Sequence, residues 1–227
     1  NPVLEESIFN GCSALTHIKL PEGLTVIPQE AFSRCYSLTN VNIPSTVSII
    51  RRWAFDRSKI EKDFEASSEN CLYIDNWLIS VKEVQIDVLD IKEGTVGIAE
   101  YAPHFPRDRG KIGPVHLPAS IKYLNNYSLN SSAEFNLDLK NVEYIEHRAL
   151  YCIRSKIIHV PASCRFFGTE NIKDNRRLED IYFHNPETVI DVKDSRFRSS
   201  SSVRVHGDKD STAQELCEKC GELYQLT

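Results

Sequence analysis

Apolar side chains recur near the start of this chain at an interval of 23 residues. Residues 9 to 31 overlay residues 32 to 54, with identities at Phe9/Phe32, Cys12/Cys35, Leu15/Leu38, Thr16/Thr39, Pro21/Pro44, Ile27/Ile50 and Ala31/Ala54. Conservative pairs fill the remaining apolar positions: Ile18/Val41, Leu20/Ile43, Leu24/Val47 and Val26/Ile49. The unit reads F-x2-C-x2-L-x2-I-x-L-P-x2-L-x-V-I-x3-A. Its I-x-L step sends two side chains inward and one outward from a short strand. Pro21 and Pro44 then end that strand, because proline lacks the N–H that a ladder needs. The other apolar positions line a return path across the convex side. A single coil of this kind cannot bury its own apolar edge, so coils must stack.

The pattern continues with drift. It predicts strand cores at Ile18-Lys19-Leu20, Val41-Asn42-Ile43, Phe64-Glu65-Ala66, Leu89-Asp90-Ile91, Val115-His116-Leu117, Leu137-Asp138-Leu139, Ile158-His159-Val160, Ile181-Tyr182-Phe183 and Val203-Arg204-Val205. Their spacing of 21 to 26 residues lies inside the leucine-rich-repeat window. Return-path anchors recur as Ile98 with Ala102, Leu124 with Leu129, Ile145 with Ala149 and Leu150, and Phe167 with Ile172. The expected fold is an α/β solenoid: a right-handed superhelix with one parallel sheet of about nine short strands, forming a single domain over residues 1–227.

Three segments depart from the repeat. Residues 71–80 hold two apolar runs around Asp75-Asn76 and read as a β-hairpin on the solenoid's flank. The serine run at 199–202, with Arg196 and Arg198, reads as a flexible loop. From Ser211 the chain offers two overlapping capping boxes, Ser211 with Gln214 and Thr212 with Glu215. A helix with Ala213, Leu216, Cys217 and Cys220 on one face follows, and Gly221 is its stop. Residues 203–227 are thus expected to cap the last coil. At the other end, Val3-Leu4 and Ile8-Phe9 overlay Val26-Ile27 and Ala31-Phe32, so the first coil is expected to be incomplete, with further repeats before it.

Composition narrows the function classes. A net charge of −5 and a pI near 5.8 leave no general attraction for phosphate backbones, which argues against a nucleic-acid partner. No run of eighteen apolar residues is present, so no membrane insertion is expected. The absence of methionine reads as a processed or excised segment. Seven cysteines cannot all pair within one chain and are too sparse for a disulfide scaffold. P-loop, G-x-G-x-x-G, H-E-x-x-H and G-x-S-x-G motifs are absent. Cys217-x-x-Cys220 lacks the second pair or the histidines that a zinc site wants, and core packing is the favoured reading.

The stretch from Ala31 to Pro44, AFSRCYSLTNVNIP, resembles the BspA-like, or Treponema-type, leucine-rich repeats, whose pattern runs roughly IP-x2-V-x2-I-x3-AF-x2-C-x2-L. The hairpin and the ending are also similar to segments of that family. The resemblance implies export to, or display on, the surface of host-associated bacteria or some protozoa, and adhesion or host-protein binding. No catalytic residues are shared across the family, so the resemblance implies neither an enzyme nor a cofactor.

The expected binding surface is the outward ladder: Lys19, Asn42, Glu65, Asp90, His116, Asp138, His159, Tyr182 and Arg204. With strands about 4.8 Å apart it would form a face roughly 38 Å long, suited to an extended protein or other extracellular macromolecule. Asp90, His116, Asp138 and His159 alternate acid and imidazole, types that bind transition metals but more often pair with one another. No metal is assigned. The alternative to a binding module is a structural spacer that supports another domain and binds nothing itself.

Overall fold

A computed structural model describes residues 2–82, 84–102, 114–129, 135–136, 138–191, 203–220 and 224–226. In chain order the elements are β1 (His17–Lys19), β2 (Val26–Ile27), β3 (Asn40–Asn42), β4 (Ile49–Ile50), α1 (Lys59–Ala66), β5 (Cys71–Ile74), β6 (Trp77–Val81), β7 (Leu89–Asp90), β8 (Gly97–Ile98) and β9 (Val115–His116). There follow β10 (Tyr123–Leu124), β11 (Phe135–Asn136), β12 (Tyr144–Ile145), β13 (Ile157–Val160), β14 (Phe166–Phe167), β15 (Asp180–Phe183), β16 (Val189–Ile190), β17 (Arg204–Gly207), α2 (Thr212–Cys220) and β18 (Tyr224–Leu226). They wind a β-solenoid of about seven turns.

The 23-residue repeat sets the register directly: Ile18 pairs with Val41, and Lys19 with Asn42, in parallel. On the return path Val26 pairs with Ile49, and Ile27 with Ile50. Inside lie Leu24, Ile27, Phe32, Leu38 and Ile50, each no more than 1% exposed. Phe9, Phe32 and Phe55 stack coil on coil, with ring centroids 5.4 and 5.5 Å apart, which explains the recurrent phenylalanine. The cysteine slot is less uniform. Cys35 is buried and donates to Phe9 O, Cys12 is exposed, and Ser58 fills the same slot one coil later.

Six return strands, β2, β4, β8, β10, β12 and β14, run into a tight turn with a left-handed residue at the same repeat position: Glu30, Trp53, Tyr101, Tyr127, Arg148 and Glu170, with φ between 54° and 60°. None is glycine, so each costs about 1 kcal/mol. Hydrogen bonds from one turn to the next offset that strain: Phe9 N–H donates to Ala31 O, Phe32 to Ala54 and Leu129 to Ala149, at 2.7–3.0 Å. Glycine is needed for a different reason at Gly97. There Trp77 crosses the strand and stacks on Tyr123, with centroids 5.9 Å apart.

The structure revises the sequence expectations in several places. The nine-strand sheet is divided into three: β1-β3, β7-β9-β11 and β13-β15-β17-β18. The return path forms extended pairs of its own, β2-β4 and a seven-stranded sheet running from β16 to β5. The third expected strand, Phe64-Glu65-Ala66, is the end of helix α1. Ser58 caps that helix by accepting from Glu61 N, and the Glu61 carboxylate accepts from Arg57 N. This Ser-x-x-Glu box outweighs the weak strand pattern. The hairpin forms as expected around Asp75-Asn76, but its second strand joins the return sheet beside β8. Asp75 also ties it to the front by accepting from Ile43 N at 2.7 Å.

The C-terminal helix forms with one of its two capping boxes. Ser211 Oγ accepts from Gln214 N, while Thr212 donates back to Thr188 O in the previous coil. Leu216 and Cys217 are buried, and β18 adds a strand to the front sheet that the sequence pattern did not predict. The 199–202 loop and Gly221 lie outside the described residues, as does the side chain of Cys220.

Candidate functional site on the C-terminal strand face

Strands β13, β15 and β17 alternate strictly. Ile158, Val160, Ile181, Phe183 and Val205 point inward and are at most 3% exposed. Their neighbours therefore project from the front in two rows. In the first row Asp180 is opposite Arg204; in the second, His159 is opposite Tyr182 and Tyr182 opposite His206. Side chains held at strand spacing in register can stack. The His159 and Tyr182 rings lie 4.8 Å apart at 17°, and Tyr182 and His206 lie 4.1 Å apart at 11°. His184, two residues beyond Tyr182, stacks on His159 at 5.3 Å, and the His159 Nδ1 to His184 Nε2 distance is 3.0 Å.

Charge flanks this aromatic row. Arg204 donates through Nε and Nη2 to the two oxygens of Asp180, both at 2.7 Å, and His206 Nε2 lies 2.6 Å from Asp180 Oδ1. These bonds, Arg204 first and His206 second, hold the Asp180 carboxyl down at about 2. His159 is pushed below the ordinary imidazole range by burial and then by the facing His184. His159, His184 and Arg204 are exposed, Tyr182 is half-buried between its neighbours, and His206 is buried.

The remaining ladder residues are distributed over the other front sheets. Lys19 and Asn42 are exposed and opposite each other, as expected. Asp90 and His116 are also in register and exposed, with His116 Nδ1 2.6 Å from Asp90 Oδ1, so acid and imidazole pair there. Three residues are displaced from the expected ladder. Glu65 lies on α1. Asp138 lies two residues past β11 and turns onto Lys140, and the register partner of His116 is Asn136. Arg204 is one step early in its strand, and His206 is the partner of Tyr182.

The reason is the same for Asp138 and Arg204. Residues 135–139 and 203–206 alternate apolar and polar, so registers two residues apart satisfy the same pattern. Sequence reasoning therefore missed Asn136, His206 and the outward Asp180 and His184. Continuing the alternation of each strand by one step would have found the last three.

A second row of polar aromatics occupies the turn side. The Arg52 guanidinium lies 3.4 Å over the exposed Trp53 ring and 5.7 Å from Tyr101, which stacks on Tyr127 at 4.5 Å. Arg148 bonds Tyr127 and, at 2.7 Å, Glu170. A cleft of about 480 Å³ opens beside this row between Arg52, Trp53, Glu61, Ser80 and Tyr101. Trp53, Tyr101, Tyr127, Arg148 and Glu170 share the left-handed turn position and Arg52 adjoins it, a slot whose apolar neighbours alone stood out in the sequence.

The fold and its registered strand faces define a leucine-rich-repeat solenoid. The profile of the BspA type leucine rich repeat region matches residues 3–102 and 85–204 in 6 copies, and the chain belongs to that family. Among solved structures, it is similar to a leucine-rich repeat protein from Bacteroides ovatus at 18% identity and a TM-score of 0.38, covering 99% of this chain and 64% of that one. It is similar to the pneumococcal vaccine antigen PcpA at 14% identity and a TM-score of 0.43, covering 94% and 68%. It is also similar to a leucine rich cell surface protein from Faecalibacterium prausnitzii at 17% identity and a TM-score of 0.30, covering 78% and 62%. The chain thus spans 62–68% of the length of these structures. No curated protein sequence matches it. Among the described residues no helix is long and apolar enough to cross a membrane.

Proposed function

We propose that this chain is a non-enzymatic protein-binding module, displayed outside the cell, whose partner docks along the row from His159 through Tyr182 to His206. The observation that carries the reading is the registered ring stack, with centroids 4.8 and 4.1 Å apart across three adjacent strands, beside the Asp180–Arg204 pair. Such a strip offers a rigid aromatic surface whose ordering cost is already met in the free protein, with fixed charge at its margin. Membership of a repeat family supports a scaffold or binding role. The extracellular placement and an adhesive role rest on the resemblance to BspA-like repeats.

Surface plasmon resonance against purified extracellular-matrix proteins tests the proposal. A partner whose affinity falls about tenfold or more in Tyr182→Ala, and is unchanged in Cys217→Ser, supports it. Binding that is indifferent to Tyr182→Ala contradicts it, and absence of binding across the panel favours the spacer reading.

A further inference from the structure

Two imidazole nitrogens on the exposed front face each other with little between them. His159 belongs to β13, and His184 follows β15 by one residue, so the two lie diagonally across neighbouring strands. Both are exposed, and His159 Nδ1 is 3.0 Å from His184 Nε2. Their rings are offset and nearly parallel, 11° apart. Tyr182, from the same strand as His184, also stacks on His159 at 17° and lies 6.3 Å from the His184 ring, so both rings flank His159 from the side of that strand.

This separation has a chemical meaning. Late first-row divalent metals bind imidazole nitrogen at about 2.0–2.1 Å. Two nitrogens at such bond lengths lie about 2.9 Å apart when they meet the ion at a right angle, and about 3.4 Å apart at the tetrahedral angle. The observed spacing falls between these values. Reaching it requires rotation of the rings, not backbone movement, because the strands already supply the distance. The proton shared between the two nitrogens moves to the far nitrogen of its own ring, so the neutral pair binds the ion without net proton loss.

We propose that His159 and His184 form a two-ligand site for a divalent transition-metal ion with the imidazole preference of Cu2+ or Ni2+. Among the described residues no group of three histidine, cysteine or acidic side chains converges to hold a metal. The remaining coordination positions therefore belong to water or to a small chelating anion, and the site favours metals that tolerate such partial ligation. Asp180 and His206 do not complete it, because Asp180 is bound to both His206 and Arg204. The Asp90–His116 pair is the competing location, with one imidazole and one carboxylate 2.6 Å apart.

The test uses the whole chain and Cu2+ presented as its iminodiacetate complex, which leaves positions open for two further donors. Calorimetric titration of the wild type should give one equivalent of bound complex. Electron paramagnetic resonance should show imidazole nitrogen in its coordination shell. His159→Gln and His184→Gln should each weaken binding on the order of a hundredfold, since each removes one of two donors presented together. His116→Gln should leave it unchanged. Nuclear magnetic resonance of the wild type gives an answer that depends on no variant: the bound ion should broaden the ring protons of His159, His184 and Tyr182 first. Absence of stoichiometric binding, unchanged binding in both glutamine variants, or broadening centred on His116 would each overturn the assignment.

Discussion

The side-chain amide of Asn125 closes the open edge of the strand that holds Ile50. Its Oδ1 accepts from Ile50 N at 2.8 Å and its Nδ2 donates to Ser48 O at 3.0 Å, across 75 and 77 residues of chain. Asn125 is fully buried and stands in for a neighbouring peptide group. Beside it Arg51 forks onto Glu146 at 3.0 and 3.2 Å, and Glu100 N donates to Ile50 O. The first two coils are thus joined to later coils by these side chains and by the Glu100–Ile50 backbone bond, at an edge of β4 that no strand among the described residues pairs with.

Asn125→Ala leaves one donor and one acceptor of the β4 backbone unsatisfied in the interior. Denaturant unfolding should show a loss of about 2–4 kcal/mol. Asn125→Asp should not rescue it, because a carboxylate keeps the acceptor for Ile50 N but sets an oxygen against Ser48 O. A loss below about 0.5 kcal/mol in the alanine variant would mean that the edge is not sealed this way.

How far the sequence exposes such features depends on whether the cause is periodic. The coil positions of Phe9, Phe32 and Phe55, the strand register of Lys19 with Asn42, and the hairpin at Asp75-Asn76 all follow from spacing, and all are found. Asn125 does not follow, since its partners lie far along the chain and no local pattern marks it. The repeat interval places Glu65 in a strand, but it takes no account of the Ser58-x-x-Glu61 pair that starts a helix there. The alternation alone does not single out His206, because a period of two residues fixes the face of a strand but not its end.

Gly97 is required by a neighbour. A Cβ built there would lie 2.3 Å from Trp77 Cζ3 and 2.4 Å from Cη2. Gly97→Ala should cost about 1–3 kcal/mol in a denaturant titration. In a Trp77→Leu background, where the ring is absent, the same change should cost much less. Equal costs in the two backgrounds would show that the indole does not set the requirement.

Acid stability should be governed by two ion-paired carboxylates. Asp180 is held at about 2 from its ordinary 3.8, first by Arg204 and then by His206. Glu170 is held at about 2 from 4.5, with Arg148 the principal cause and Lys173 a further one. Both folded values lie below the unfolded ones. Their contribution is therefore present above the ordinary carboxylate range and is lost as pH falls from about 4.5 to 2. Arg148→Met should lower stability at pH 7 and flatten the fall over that window in pH-resolved thermal melts. An unchanged slope would assign acid sensitivity to other groups.

The most direct measurement of the binding account is amide hydrogen exchange on the complex with whichever matrix protein binds. The account predicts new protection in peptides covering Ile157–Val160, Asp180–Phe183 and Arg204–Gly207, the three strands that carry the stacked rings. Protection confined to the turn side, around Trp53, Tyr101 and Tyr127, with the three strands unchanged, would contradict it and place the partner on the arginine–aromatic row instead.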